Sequence, residues 1–382
     1  MDYLNPISES ILQFVDDLPE LSLGKSIVKH TAADMPNLDE VQLAVFSVAE
    51  DRVAINNTGV SLAGDVIRKE LYQLFPGNWK LNIVDLGTVE AGDTLEDTYF
   101  AVQDLVKNLV KNQITPILIG GSQDLTYAMF KGYDGLEQLV NMAVIDPKFD
   151  LGDPENDITS QAYLGKIILK QPSNLFNFSN IGYQTYYNSQ EEIDLMYKLY
   201  FDTYRVGEIR TDIKLVEPIF RDADILSVDI SAIRYNDAVG NKNAVPNGFT
   251  GEEACTMMRY AGLSSRLSSL GLYEYNPTLD NENQTAKLIA QMLWYFIEGF
   301  SLRIKEHPFV QKEQFKKYIV LLEGQDITFY KSNKSNRWWM ELIIPHNKYK
   351  KSTLLPCSHG DYLRACEGEV SARWWKAVRK MM

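Results

Sequence analysis

PILIGGSQDLTYA, residues 116 to 128, sets an apolar run, Pro116 to Ile119, ahead of the glycine pair Gly120-Gly121 and a helix-like segment that continues to Phe130. Strand, tight turn and helix in this order form the unit on which α/β enzymes hang their chemistry. The glycines are not a phosphate loop, because neither the P-loop lysine and hydroxyl nor the dinucleotide glycine spacing follows. Ser122 has no histidine nearby, so a serine nucleophile gains no support.

Outward from this turn, short Val- and Ile-rich runs recur at 43–48, 81–87, 115–121, 141–146 and 224–231. They are continuous rather than alternating, as parallel strands covered on both faces are. Helical patterns such as LAGDVIRKELYQLF (62–75) and LEDTYFAVQDLVKNLVKNQ (95–113) separate them. The alternation predicts a three-layer α/β/α sandwich with a mainly parallel, doubly wound sheet, whose ligands bind at the carboxyl ends of the strands. The Asn- and aromatic-rich stretch PSNLFNFSNIGYQTYYNSQ (172–190) reads as loops near that site.

At 382 residues and 45% hydrophobic, the chain can bury one large α/β core and carry an appendage. The division expected is an N-terminal segment (1–39), an α/β/α domain (40–304) and a C-terminal extension (305–382). The acidic start MDYLNPISESILQF, the absence of a spanning apolar run and only three cysteines predict a cytoplasmic setting without disulfides or membrane insertion. From Lys305 onward there are 15 Lys and Arg against 8 Asp and Glu, whereas the rest of the chain is strongly acidic. The basic extension also holds Trp338, Trp339, Trp374 and Trp375, four of the six tryptophans. Basic residues among aromatics suit an interaction surface, and a protein partner is expected there rather than nucleic acid. The competing reading folds the extension onto the acidic body, with its tryptophans as core.

Three segments carry a resemblance. IGGSQD, VIDPKFD and SVDIS occur in the order of G-G-x-H-S, D-A-H-x-D and S-x-D-x-D. Together with NGFTGEEACTMMRYAG and GLYEYNPTLDNENQTAKLIAQMLWYF, they make residues 40 to 304 resemble the ureohydrolases, the arginases, agmatinases and formimidoylglutamases, and most of all the last. The resemblance implies an arginase-like fold and two manganese ions held by four carboxylates and two histidines. Its bridging hydroxide would attack a guanidino or formimino carbon. Residue by residue, Asp146, Asp150 and Asp229 keep their carboxylates. Gln123 and Lys148 replace the histidines, and Ser231 replaces the last aspartate.

Composition strengthens that reading, because the four histidines are His30, His307, His346 and His359, and the body between Thr31 and Glu306 has none. At the position of a further family histidine stands Tyr163 or Leu164. Lys148 brings a positive charge where the relatives bring a ligand for one, and an ammonium a few ångströms from a divalent ion is opposed by roughly 4 kcal/mol per charge pair. The expectation is a pocket without manganese, in which Lys148 pairs with the aspartates; a single Mg²⁺ or Ca²⁺ on an all-oxygen set is the variant that keeps a cation. Glu274 matches a family glutamate that faces the guanidinium, with pairing to Arg234 as its structural alternative. The function read from these residues is a catalytically inactive interaction or scaffold protein. The alternatives are a metal-dependent amidinohydrolase of formimidoylglutamase type and a small-molecule sensor. A homo-oligomer stays open.

Overall fold

The computed structural model describes residues 3–381 apart from 137, 154, 323–324 and 345–350. Its central sheet takes strands β1 (Leu4–Asn5), β2 (Val28–Lys29), β3 (Leu43–Ala49), β4 (Ile83–Glu90), β5 (Thr115–Ile119), β6 (Val140–Ile145), β7 (Leu175–Tyr183), β8 (Asp202–Arg205), β9 (Ile225–Asp229) and β10 (Ser269–Tyr273). The order across the sheet is β1-β4-β3-β5-β10-β9-β6-β7-β8, with β2 also on β4, and every pairing except that of β1 is parallel. The inner strands β5, β6, β9 and β10 are buried along their whole length, which is why their sequences are apolar on both faces.

Helices cover both faces. One core gathers Ala63, Ile67 and Leu71 of helix Ala63–Tyr72 with the apolar faces of Gly251–Leu263 and Gln284–Ser301. The other gathers helix Leu95–Lys111, helix Leu125–Lys131 and helix Leu164–Leu169. Each fully buried leucine or isoleucine in these layers contributes roughly 1.5–3 kcal/mol, so neither layer is dispensable. The helix Glu9–Asp16 packs Ile11 and Val15 into the first core, so residues of the N-terminal segment share the body's interior.

The stretch 172–190, read as loops, instead has a strand, β7, at its centre. Its asparagines misled the reading, because they are buried and find partners within the fold. Asn180 donates to the Lys148 carbonyl at 2.8 Å, and Asn177 to Asp202 at 3.1 Å.

The extension forms a second, antiparallel sheet, β11 (Phe315–Leu322), β12 (Gln325–Ser332), β13 (Trp338–Ile344) and β14 (Lys351–Cys357), in sequence order. Helices His359–Cys366 and Ala372–Met381 complete it, around a core of its own that includes Val320, Phe329, Trp338, Met340 and Trp374. This corrects the reading of four tryptophans as an interaction surface. Trp338 stacks on both His359 and Tyr362, Trp339 lies against the Arg221 guanidinium at 4.4 Å, and Trp374 is buried. Only Trp375, 51% exposed, remains accessible. Burying an indole removes a large apolar area from water, so Trp338 and Trp374 pack inward beside Val320, Ile327, Phe329 and Met340. Basic residues then meet the acidic body: Arg337 pairs with Glu217 at 3.0 Å and Lys376 with Asp202 at 3.4 Å.

Candidate functional site

Four strand ends and their loops converge at the carboxyl edge of the sheet. After β5 the chain turns through Gly120 and Gly121, with φ of 85° and 75°. A Cβ on Gly121 would lie 2.4 Å from Leu125 Cδ1, so this turn requires glycine. The turn delivers Gln123, wholly buried, whose backbone N–H donates to Glu274 Oε1 at 3.1 Å. Its amide Nε2 donates to the Tyr163 hydroxyl at 3.2 Å, while Oε1 has no hydrogen-bond partner among the described residues.

β6 runs out into a loop that carries Asp146, Lys148 and Asp150. Asp146 Oδ1 accepts the Lys148 backbone N–H at 2.7 Å. Asp150 sits at φ 49°, a left-handed conformation that a non-glycine residue adopts at a cost of about 1–3 kcal/mol. β9 ends at Asp229, whose Oδ1 accepts the Ser231 backbone N–H at 2.6 Å. After β10 comes Glu274, also left-handed at φ 68°.

The structure therefore brings Gln123, Asp146, Lys148, Asp150, Asp229, Ser231 and Glu274 together, and the electrostatics are those of crowded acids. Burial, then the neighbouring Asp150 and Asp229, push the Asp146 carboxyl far above its ordinary range. Burial and Asp229 raise Asp150 to about 8, and burial and Asp229 do the same to Glu274. Asp229 rises to about 6, chiefly through burial, against the stabilising Ser231 amide. The Lys148 charge opposes the rise at Asp150 and Asp229.

Two expectations about partners are corrected. Lys148 Nζ donates to Gln161 Oε1 at 3.0 Å and makes no carboxylate contact within 4 Å among the described residues. A neutral acceptor on the 151–163 loop reaches it first, and its effect on the aspartates is longer-range. Glu274 neither opens toward a ligand nor pairs with Arg234, which binds Asp237 at 2.9 Å. Its carboxylate is spent on the Gln123 amide and on Asn57 Nδ2, at 2.8 Å.

Sequence reading missed the asparagines that close the loops over this site. Asn57 and Asn241 both donate to the Glu274 carbonyl at 2.9 Å, Asn243 ties to the Ile55 carbonyl, and Asn276 to that of Thr58. These contacts join residues up to 218 positions apart, and nothing local marks them. No member of the acidic group is more than 8% exposed, and Tyr163 is fully buried among them.

The donor set does not fit a manganese pair. An amide, an ammonium and a hydroxyl stand at three of the six positions, and among the described residues no three His, Cys, Asp or Glu side chains are arranged to hold a metal ion. Of the histidines, His307 and His359 lie in the extension and His346 falls outside the described residues.

A sheet of this order with this strand-end constellation defines the ureohydrolase class. The chain belongs to the arginase family, whose profile matches residues 41–298 and stops short of the extension. It is 26% identical over 288 residues to the formimidoylglutamase of Macrococcus caseolyticus (strain JCSC5402), covering 72% of this chain and 90% of that protein. To the formimidoylglutamase of Bacillus subtilis (strain 168) it is 21% identical over 282 residues, covering 68% and 87%. The fold superposes on Trypanosoma cruzi formiminoglutamase with Mn²⁺ at a TM-score of 0.63 and 16% identity, over 71% of this chain and all of that one. The Bacillus subtilis formimidoylglutamase structure gives 0.65 at 17% identity, over 71% and 91%. Among the described residues no helix is long and apolar enough to cross a membrane.

Proposed function

We propose that this chain is a ureohydrolase-fold protein without binuclear manganese catalysis, which acts as an interaction or scaffold protein through its extension. The observation that carries the proposal is the replacement of both imidazole ligands, with Lys148, its ammonium turned to Gln161, where the relatives' pattern has a metal ligand. The carboxyls raised toward and above neutral pH retain protons, which offset repulsion that cations offset elsewhere. The sealed loops support the same reading, since a substrate would have to displace the Asn57 and Tyr163 contacts. The exposed apolar residues of the extension, Ile319, Leu321 and Trp375, support a protein partner.

The relatives favour a second reading, a hydrolase acting on the C–N bond of a formimino or guanidino compound, because those named above are formimidoylglutamases. One experiment separates the two. Metal content is measured by mass spectrometry after manganese loading, beside turnover of formiminoglutamate, with Gln123→His/Lys148→His/Ser231→Asp as the positive control. An empty, inactive wild type beside a metal-binding triple variant is expected. Two equivalents of manganese with turnover in the wild type would establish the hydrolase instead.

A further inference from the structure

The sheet of the extension ends on one side at β11, which pairs with β12 and, among the described residues, with no other strand. Alternate backbone N–H and C=O groups along its eight residues therefore point outward without a ladder partner, the form in which a sheet accepts a further strand. One face of β11, with Tyr318 and Val320, is taken up by the extension's own core. The other face is open along most of the strand. Lys317, Ile319 and Leu321 alternate on it and are all exposed, the two apolar residues by 56% and 77%. On this same face Leu321 stands beside Asp326 of β12, which is also exposed. Neither Lys317 nor Asp326 has an ion-pair partner among the described residues.

Charge commonly guards a free sheet edge, and here Lys316 and Lys317 guard only the first half of the strand, while Ile319 to Leu322 carry no charge. This lopsided pattern selects the strand that fits. A parallel copy in register would set lysine against lysine. An antiparallel copy centred on Ile319 instead sets Ile319 opposite Ile319 and Lys317 opposite Leu321. The Lys317 stem can then lie along Leu321 of the other copy and bring its ammonium toward Asp326 on the next strand. We propose that β11 is a homodimer interface, at which two copies of this chain join edge to edge, antiparallel, so that their two extension sheets become one. The contact is isologous and closes after two copies, which leaves no free β11 edge for further growth. Such pairing rests on the reading of the extension as an interaction surface, and metal loading of the carboxylate site is read out separately from it.

The test is the particle mass of the full chain by light scattering over a roughly hundredfold concentration series, in which the wild type should pass from unpaired to paired. Ile319→Lys/Leu321→Lys, at two exposed positions, puts like charges opposite each other across the seam. It should weaken association at least about tenfold and halve the mass where the wild type is paired, with the Tm of the dilute protein unchanged. Lys317→Glu should weaken pairing as well, and Lys317→Glu/Asp326→Lys should restore it. A wild type that shows no pairing at any concentration, a double-lysine variant that pairs undiminished, or a charge swap that restores nothing overturns the proposal.

Discussion

Raising the pH from 6 to 8 should destabilise this protein, and the carboxyl cluster sets the amount. Asp150 and Glu274 have folded pKa values of about 8, against roughly 4 in an unfolded chain. Between those limits the folded state binds more protons than the unfolded one, so the stability of folding is full below about pH 4 and falls as pH climbs toward 8. One group contributes a slope of about 1.4 kcal/mol per pH unit well below its folded pKa, or about 2.3 kcal/mol from pH 6 to 8, since it is half deprotonated at pH 8. The two acids interact through their shared neighbour Asp229, so one net proton is the safer basis for the magnitude. Above pH 8 the sign is opposed by Lys380, whose amine burial lowers to about 8, and the window must therefore stop there. Urea denaturation at pH 6, 7 and 8 with chelator present reads the effect as a falling midpoint at constant slope. Asp150→Asn, which removes one of the titrating acids, should flatten the profile. A midpoint that is level or rises between pH 6 and 8 would refute the assignment of protonated acids in this cluster.

Three further outcomes test the architecture. Asp85→Asn should cost about 3–5 kcal/mol in chemical denaturation, because Asp85 binds the fully buried Arg68 through two contacts of 2.9 and 3.0 Å and the Tyr72 hydroxyl at 2.8 Å. A loss under 1 kcal/mol would show that Arg68 finds another partner. Gly121→Ala should lower stability by at least about 1 kcal/mol, from its positive φ and the clash with Leu125; an unchanged midpoint would contradict the turn geometry. Trp374→Ala should cost about 3–5 kcal/mol and expose the extension to proteolysis, whereas Trp375→Ala should stay within about 0.5 kcal/mol. Equal effects of the two would place both indoles in the same environment.

The strand-turn-helix at 116–128, the parallel strands and the ureohydrolase order of motifs were legible because each is written in neighbouring residues. β7 was not, since its asparagines look like loop residues until buried partners such as the Lys148 carbonyl account for them. The sequence by itself determined that the body has no imidazole and that Lys148 and Ser231 stand in the ligand pattern, because composition and spacing survive any folding. It could not determine where the Lys148 ammonium goes. Only the tertiary structure decided that Gln161 takes it, that Glu274 serves Gln123 and Asn57, and that Trp338, Trp339 and Trp374 turn inward. The physical reason is common to all of these. A polar group or an indole selects its partner by distance in three dimensions and by the water it leaves behind, and both depend on segments far away along the chain.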